Sequence, residues 1–162
     1  EEGEVKMSEE LSLENEVLEN LKKFLGDKFV DGYVQRKGRV FVRVTVDAYK
    51  EALKYALEKW NAYHLSTISG VDKGEKIELL YHLLEPKSKL SITIGTEIPK
   101  SNPKIGTVSD IFPSALVYER EVYDLLGVAF EGHPSLKRLV LPEDWPEGVH
   151  PLRKDWKPEQ MK

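Results

Sequence analysis

Apolar residues recur at helical spacing in three segments of the chain. These segments span residues 11–25, 48–60 and about 114–126. Gly26 and Gly127 follow the first and third segments and predict their ends, because glycine readily adopts the left-handed conformation that closes a helix. Each segment carries its apolar side chains on one stripe, so each helix is expected to bury one face.

Alternating apolar and β-branched residues predict five strands, with turns at Lys37-Gly38 and Asp72-Lys73-Gly74. Short turns join antiparallel neighbours, so we expect an α+β fold with a mainly antiparallel sheet and helices on one face. Residues 100–107 are expected to form an ordered loop, because Pro103 and Gly106 interrupt them. The predicted strands are 30–35, 39–46, 64–71, 76–84 and 90–97.

Beyond Gly127 the periodicity stops and prolines divide the chain into short pieces. We therefore predict a long irregular, Pro-rich C-terminal extension. It contains enough Leu, Val and Trp to argue against disorder, so it is expected to lie on its own domain or on a partner. The predicted organisation is an acidic flexible leader at 1–10, an α+β domain at 11–130 and an extended docking tail at 131–162.

The charge of the chain is unevenly distributed. The formal net charge is −4, yet residues 1–20 hold eight acidic residues and one lysine, a net of −7, so the remainder carries +3. This balance argues against a general nucleic-acid binder. The chain has no cysteine, which excludes thiolate metal sites, cysteine-ligated iron–sulfur clusters and thiol catalysis. No apolar run is long enough to span a membrane, and no export signal is visible.

The stretch from Tyr118 to Pro134 concentrates acidic, basic and histidine residues. In a helix, Glu119 and Glu121 are about 200° apart, so they cannot form a close carboxylate pair. Arg120 and Asp124 are four residues apart, on the face opposite the apolar stripe, and are expected to pair. Sequence geometry therefore gives this helix no acid/base dyad.

One alternative is an independent metal-dependent enzyme that uses His133 and His150 with a carboxylate from Asp124 or Asp144. The long spacing of these residues makes it a nonspecific pattern. A nucleic-acid adaptor is a further alternative, from Trp145 and Trp156 near basic residues, although interleaved acidic residues oppose it. No nucleophile elbow, phosphate loop or dinucleotide fingerprint is present.

Several ordered blocks resemble a known family. They are EREVYDLLG at 119–127, FEGHP at 130–134, LKRLVL at 136–141 and HPLRKD at 150–155, preceded by SGVD at 69–72, LYHLL at 80–84 and VSDIFP at 108–113. Together they resemble the thirty-kilodalton subunit of respiratory complex I and the related subunit of membrane-bound, energy-converting NiFe hydrogenases. The resemblance covers about residues 60–157. Departures at Leu126, Ser135 and Val149 favour a divergent branch, which we expect to be archaeal. Abundant Lys and Glu with few Gln and Asn predict a thermophilic source.

The resemblance implies a non-catalytic scaffold subunit of an oxidoreductase complex, in its hydrophilic arm on the cytoplasmic side of the membrane. It implies a hetero-oligomer with a large catalytic subunit and with neighbouring iron–sulfur and membrane subunits. No cofactor is expected in this chain, and the partners are expected to hold a NiFe centre or quinone and Fe–S clusters. The residues that match the signature, expected to hold the fold and dock partners, are Glu119, Arg120, Glu121, Asp124, Gly127, His133, Pro134, Arg138, His150, Pro151, Arg153, Lys154 and Asp155.

Overall fold

The computed structural model describes residues 11–161 of the 162-residue chain, so the predicted acidic leader lies outside it. The described elements are α1 (Ser12–Leu25), β1 (Phe29–Arg36), β2 (Arg39–Val44), α2 (Tyr49–Trp60), β3 (His64–Asp72), β4 (Lys76–Glu85), β5 (Leu90–Pro99), β6 (Lys104–Gly106), α3 (Ala115–Leu126) and β7 (Ala129–Glu131), with short 3-10 turns at Gly26–Lys28 and Pro158–Met161. The three predicted helices and five predicted strands are confirmed, with ends shifted by a few residues.

Five strands form one sheet in the order β1-β2-β5-β4-β3. Hairpin-length connections join β1 to β2, β3 to β4 and β4 to β5, and the sheet is mostly antiparallel as predicted. At its centre β2 pairs with β5 in parallel, with Arg39 opposite Ser91 and Arg43 opposite Gly95. This pairing brings together strands that are far apart in the chain, which local periodicity does not reveal.

One local expectation was wrong, and two polar residues of types that often cap helices do not cap them here. Ser12 is the first residue of α1 rather than its cap, and Leu11 precedes it without a side-chain capping bond. Asp47 does not cap α2 either: Ala48 precedes the helix without a side-chain capping bond, and Asp47 Oδ1 accepts a bond from the Thr45 hydroxyl at 2.5 Å. Part of the predicted loop 100–107 forms β6, which pairs in parallel with β7.

The described residues form two compact units. The first contains residues 11–66 and 81–96, and the second contains 67–80 and 97–161. The predicted boundary at residue 130 stays a prediction, and the second unit has residues on both sides of it. Placement of every helix on one face of the sheet also stays a prediction.

The first unit has an apolar core between its helices and strands. Val40, Val42 and Val44 alternate inward on β2, and α1 packs on β1 and β2. Phe24 of α1 stacks on Tyr55 of α2, with ring centroids 4.1 Å apart. The predicted apolar stripes are buried at Val17, Leu21 and Leu25 of α1 and at Ala52, Leu53 and Ala56 of α2, whereas Phe24 stays 46% exposed.

The second unit packs α3 closely against β3. A Cβ atom on Gly70 would lie 2.2 Å from Leu126 Cδ1, so a larger residue would force the buried Leu126 side chain to move. After β7, residues 132–157 contain no helix or strand. None of the helices in the described part of the chain is long and apolar enough to cross a membrane.

Candidate functional site

The candidate site is built on α3, which ends at Gly127 in the left-handed conformation at φ 75°. The Gly127 N–H donates to the Tyr123 carbonyl at 2.9 Å and closes the last turn. A Cβ at this position would lie 2.5 Å from His150 Nε2 and 2.7 Å from Arg153 Nη2. Gly127 therefore ends the helix and also admits the close approach of two signature side chains.

Glu119 lies fully buried at the inner side of α3. The Thr107 hydroxyl donates to its Oε2 at 2.7 Å, and the Val108 N–H donates to its Oε1 at 2.8 Å. Burial raises the pKa of the Glu119 carboxyl, and these two hydrogen bonds partly oppose that rise. Glu119 thus fixes the chain that follows β6, whereas Glu121 is only half-buried. The two carboxylates are about 200° apart on the helix, which accords with their different burial.

The largest difference between the sequence prediction and the structure concerns Asp124. It was expected on the exposed face, paired with Arg120, but it is buried and forms no such pair. Its Oδ2 instead accepts the N–H groups of Leu139 at 2.7 Å, Val140 at 2.8 Å and Leu141 at 3.2 Å. The irregular segment covers this face of α3, so a residue that local geometry assigned to solvent becomes a buried anchor.

Two arginines hold the backbone on either side of that anchor. Arg120 Nε donates to the Lys137 carbonyl at 3.0 Å, and its Nη2 donates to the Arg138 carbonyl at 2.5 Å. Arg138 Nη1 in turn donates to the carbonyls of Pro142 and Glu143, at 3.1 Å each. Charged donors give these bonds more strength than neutral ones. The 137–143 backbone is therefore fixed without a strand or a helix.

The two signature histidines also bond to backbone. His133 Nε2 donates to the Leu116 carbonyl at 2.9 Å, and its Nδ1 accepts the Ser135 N–H at 3.0 Å. His150 Nδ1 donates to the Asp124 carbonyl at 2.9 Å. A carbonyl can only accept, so these partners define which ring nitrogen carries the proton.

The end of α3 is capped from the same segment. Arg153 Nε donates to the Leu126 carbonyl at 2.7 Å, and the Leu152 N–H donates to the Leu125 carbonyl at 3.0 Å. The last carbonyls of a helix have no partner within it and carry partial negative charge, which favours a cation there. Pro134 and Pro151 follow the two histidines, where proline favours extended backbone in the preceding residue.

A second anchor connects Lys154 and Asp155 to the turn after β3. The Asp72 side chain is only 1% exposed, and its Oδ2 lies 2.7 Å from Lys100 Nζ. The Lys154 N–H donates to the same oxygen at 2.9 Å, the Gly74 N–H donates to Oδ1 at 2.9 Å, and Asp155 lies 3.4 Å from Lys100. Burial alone would raise the pKa of Asp72, but its hydrogen bonds and the Lys100 charge outweigh burial and lower the pKa to about 2.

Sequence reasoning identified the residues on α3 and on the segment but missed three of their partners. Thr107, Asp72 and Lys100 were assigned to loops and turns only. The SGVD block contained Asp72, and the Asp-Lys-Gly pattern correctly predicted its turn. No local pattern could show that Lys100 and Lys154 converge on it.

The geometry does not support the two-histidine metal hypothesis. Within residues 11–161, no three His, Asp or Glu side chains gather as a metal-binding group. A cavity of about 380 Å³ lies between α3 and residues 138–150, with Asp124, Arg138 and His150 in its lining. His150 and Arg138 already bond to carbonyls there, so the arrangement positions backbone rather than a reacting group.

Comparison with known proteins gives consistent matches. The family model described as the 30-kDa subunit of the respiratory-chain NADH dehydrogenase matches residues 42–162. The membrane-bound hydrogenase subunit beta of Pyrococcus furiosus is 42% identical over 76% of this chain and 74% of its own length. A subunit of the F420H2 dehydrogenase of Methanosarcina mazei is 32% identical over 86% of this chain and 89% of its own. A chain of the archaeal membrane-bound sulfane sulfur reductase superposes with a TM-score of 0.77 at 31% identity, covering 88% of this chain and 85% of that one.

Proposed function

This chain belongs to the family of the 30-kDa subunit of the respiratory-chain NADH dehydrogenase, and we propose that it is a scaffold subunit of a complex-I-like, membrane-bound oxidoreductase. In this role it performs no chemistry of its own and holds the large catalytic subunit in the hydrophilic arm. The names of its relatives support membership in such a complex, since they include a membrane-bound hydrogenase and a dehydrogenase.

One observation carries the proposal: the signature side chains hold backbone in place instead of converging on an open reaction site. Asp124 binds three consecutive N–H groups, and Arg120, His150 and Arg153 bind carbonyls. A segment that lacks regular structure thereby acquires a fixed shape before any partner arrives. Preorganisation of this kind lowers the entropy lost on association.

The fixed segment presents apolar side chains outward. Leu139, Val140 and Leu152 are exposed by 41%, 54% and 55%, and we call these three residues the docking surface. The backbone N–H groups of Leu139 and Val140 bind Asp124, and that of Leu152 binds the end of α3. Apolar side chains on a rigid backbone are suited to the buried centre of an interface. In our proposal this surface is buried against the large catalytic subunit.

The redox centres of the complex are proposed to lie in the partner subunits. Thiolate ligands hold NiFe centres and most iron–sulfur clusters, and this chain contains no cysteine. We therefore expect the NiFe centre or quinone pocket, and the Fe–S clusters, in the large subunit and its neighbours. Attachment through those partners would place the chain peripherally, on the cytoplasmic side of the membrane.

The experiment is co-purification of a tagged chain expressed with the other subunits of its complex. The test variant is Val140→Asn combined with Leu152→Asn, and it should lose most of the large subunit from the membrane fraction. Val30→Asn is a matched control, because Val30 is 55% exposed on β1 in the first unit. This control should retain the large subunit.

Recovery of the unmodified chain as a free monomer, with the large subunit assembled without it, would refute the scaffold role. Equal loss in the test variant and the Val30 control would contradict the assignment of the docking surface alone. Metal analysis of the purified chain tests the cofactor assignment, and a stoichiometric, tightly held metal would contradict it.

A further inference from the structure

A basic pocket lies in the first unit, at the end of the sheet where the β1–β2 and β4–β5 turns meet. Its volume is about 480 Å³. Its cationic lining consists of Arg36, Lys37, Arg39 and Lys89, and the hydroxyl-bearing Ser66 and Ser91 also line it. No acidic side chain among residues 11–161 lines this pocket. Such a concentration of positive charge contrasts with the net charge of −4 of the whole chain.

The sheet places two of these cations directly opposite each other. Arg36 of β1 is the cross-strand partner of Arg39 of β2. Side chains directly opposite in an antiparallel pair share one face, and like charges there are destabilising. Arg39 is also in register with Ser91 of β5, which adds a hydroxyl beside the guanidinium group. A bound anion would relieve the repulsion between the two arginines.

Two buried carboxylates accept hydrogen bonds from the turn backbone beside the pocket. Glu14 of α1 accepts the Gly38 N–H at 2.6 Å, and Glu85 accepts the Ser88 N–H at 2.6 Å. The Ser91 N–H donates to the Gly38 carbonyl at 2.7 Å, which joins the two turns. Both carboxylates thus bind turn backbone, and neither forms an ion pair with the four cations.

The positive charge of the pocket is not neutralised by described residues. Within residues 11–161, Arg36, Lys37, Arg39 and Lys89 form no ion pair. The positive charge also reaches His82 on neighbouring β4, whose pKa is lowered by burial first and by the charge of Arg39 second.

We propose that the basic pocket binds a phosphate group, either free or as the head group of an anionic phospholipid. Guanidinium groups present paired N–H donors that match phosphate oxygens, and lysine and serine add single donors. The paired turns fix the backbone that carries these donors, which reduces the ordering needed on binding. This site is independent of the docking surface, which lies in the other unit.

The experiment uses the full chain, isotopically labelled, at low ionic strength. Pyrophosphate is added while the backbone amide signals of Gly38 and Ser91 are followed. Both signals should shift and saturate. The double variant Lys37→Gln, Lys89→Gln should weaken binding about tenfold, which corresponds to about 1.4 kcal/mol, because the two lysines are exposed and each supplies only part of that amount. The control Lys23→Gln, Lys54→Gln removes two exposed lysines from helices of the same unit and should bind like the unmodified chain.

A second arm distinguishes the source of the phosphate. Sedimentation with phosphatidylglycerol vesicles, compared with phosphatidylcholine vesicles, tests the lipid head group using the same variants. Binding to phosphatidylglycerol alone, lost in the Lys37, Lys89 variant, would support the site and identify the lipid as its ligand. Failure of both pyrophosphate and phosphatidylglycerol to bind would overturn the proposal. Equal weakening in both double variants would also overturn it, since that would indicate attraction by overall charge.

Discussion

Removal of the Asp72 carboxylate gives the sharpest test of how the second unit is held together. The variant Asp72→Asn removes the charge that binds Lys100 and the Lys154 N–H while keeping the size of the side chain. The pKa of Asp72 falls from an ordinary value of 3.8 to about 2 in the folded protein. Each pKa unit corresponds to about 1.4 kcal/mol, so the carboxylate contributes about 2 kcal/mol to the free energy of unfolding at neutral pH.

The sign of the pH dependence follows from the lowered pKa. The contribution is fully present above pH 3.8 and is lost as the pH falls toward 2. About half of it, roughly 1 kcal/mol, should be lost by pH 3. The unmodified protein should therefore exceed Asp72→Asn in stability by about 2 kcal/mol at pH 7, and the difference should narrow steadily below pH 4.

Urea unfolding followed by tryptophan fluorescence measures this difference at a series of pH values, because Trp145 and Trp156 lie in the second unit. Asp31→Asn is the control, since Asp31 pairs with Arg43 while its side chain is 56% exposed. Exposed pairs contribute less than about 1 kcal/mol, so this variant should change stability little. A difference between Asp72→Asn and the unmodified protein that stays constant from pH 7 to pH 3 would refute the reasoning.

Three further predictions concern α3 and its partners. Gly127→Ala should lower the free energy of unfolding by about 2 kcal/mol or more, because alanine is strained at φ 75° and its Cβ would meet His150. Urea unfolding measures this loss, and an unchanged unfolding midpoint would contradict the prediction. Glu119→Gln should destabilise the protein far less than Glu119→Ala, since the amide oxygen still accepts the Val108 N–H. Because burial raises the pKa of Glu119, the unmodified protein should gain stability relative to the glutamine variant as the pH falls through that raised pKa. The opposite trend in urea unfolding would contradict this. Asp124→Ala should lower the free energy of unfolding by about 3 kcal/mol and accelerate proteolysis after Lys137, because three N–H groups lose their acceptor. Limited trypsin digestion measures the second effect, and an unchanged rate of cleavage would contradict the prediction.

The local elements of this protein could be predicted from its residues alone. Apolar spacing identified the three helices, alternation identified the five main strands, and Gly127 correctly marked the end of α3 at a positive φ. These features depend on residues within a few positions of one another, so a short stretch of sequence is enough to predict them. The ordered signature blocks indicated the family, which the family model and the relatives confirm.

The burial and the partners of the polar residues became visible only in the folded chain. A helical wheel assigned Asp124 to the exposed face, and burial came from a segment that begins more than ten residues later. In the same way, the parallel pairing of β2 with β5 and the convergence of Lys100 and Lys154 on Asp72 join distant parts of the chain. Such contacts depend on how the whole chain excludes water and satisfies its backbone groups, which no local pattern records.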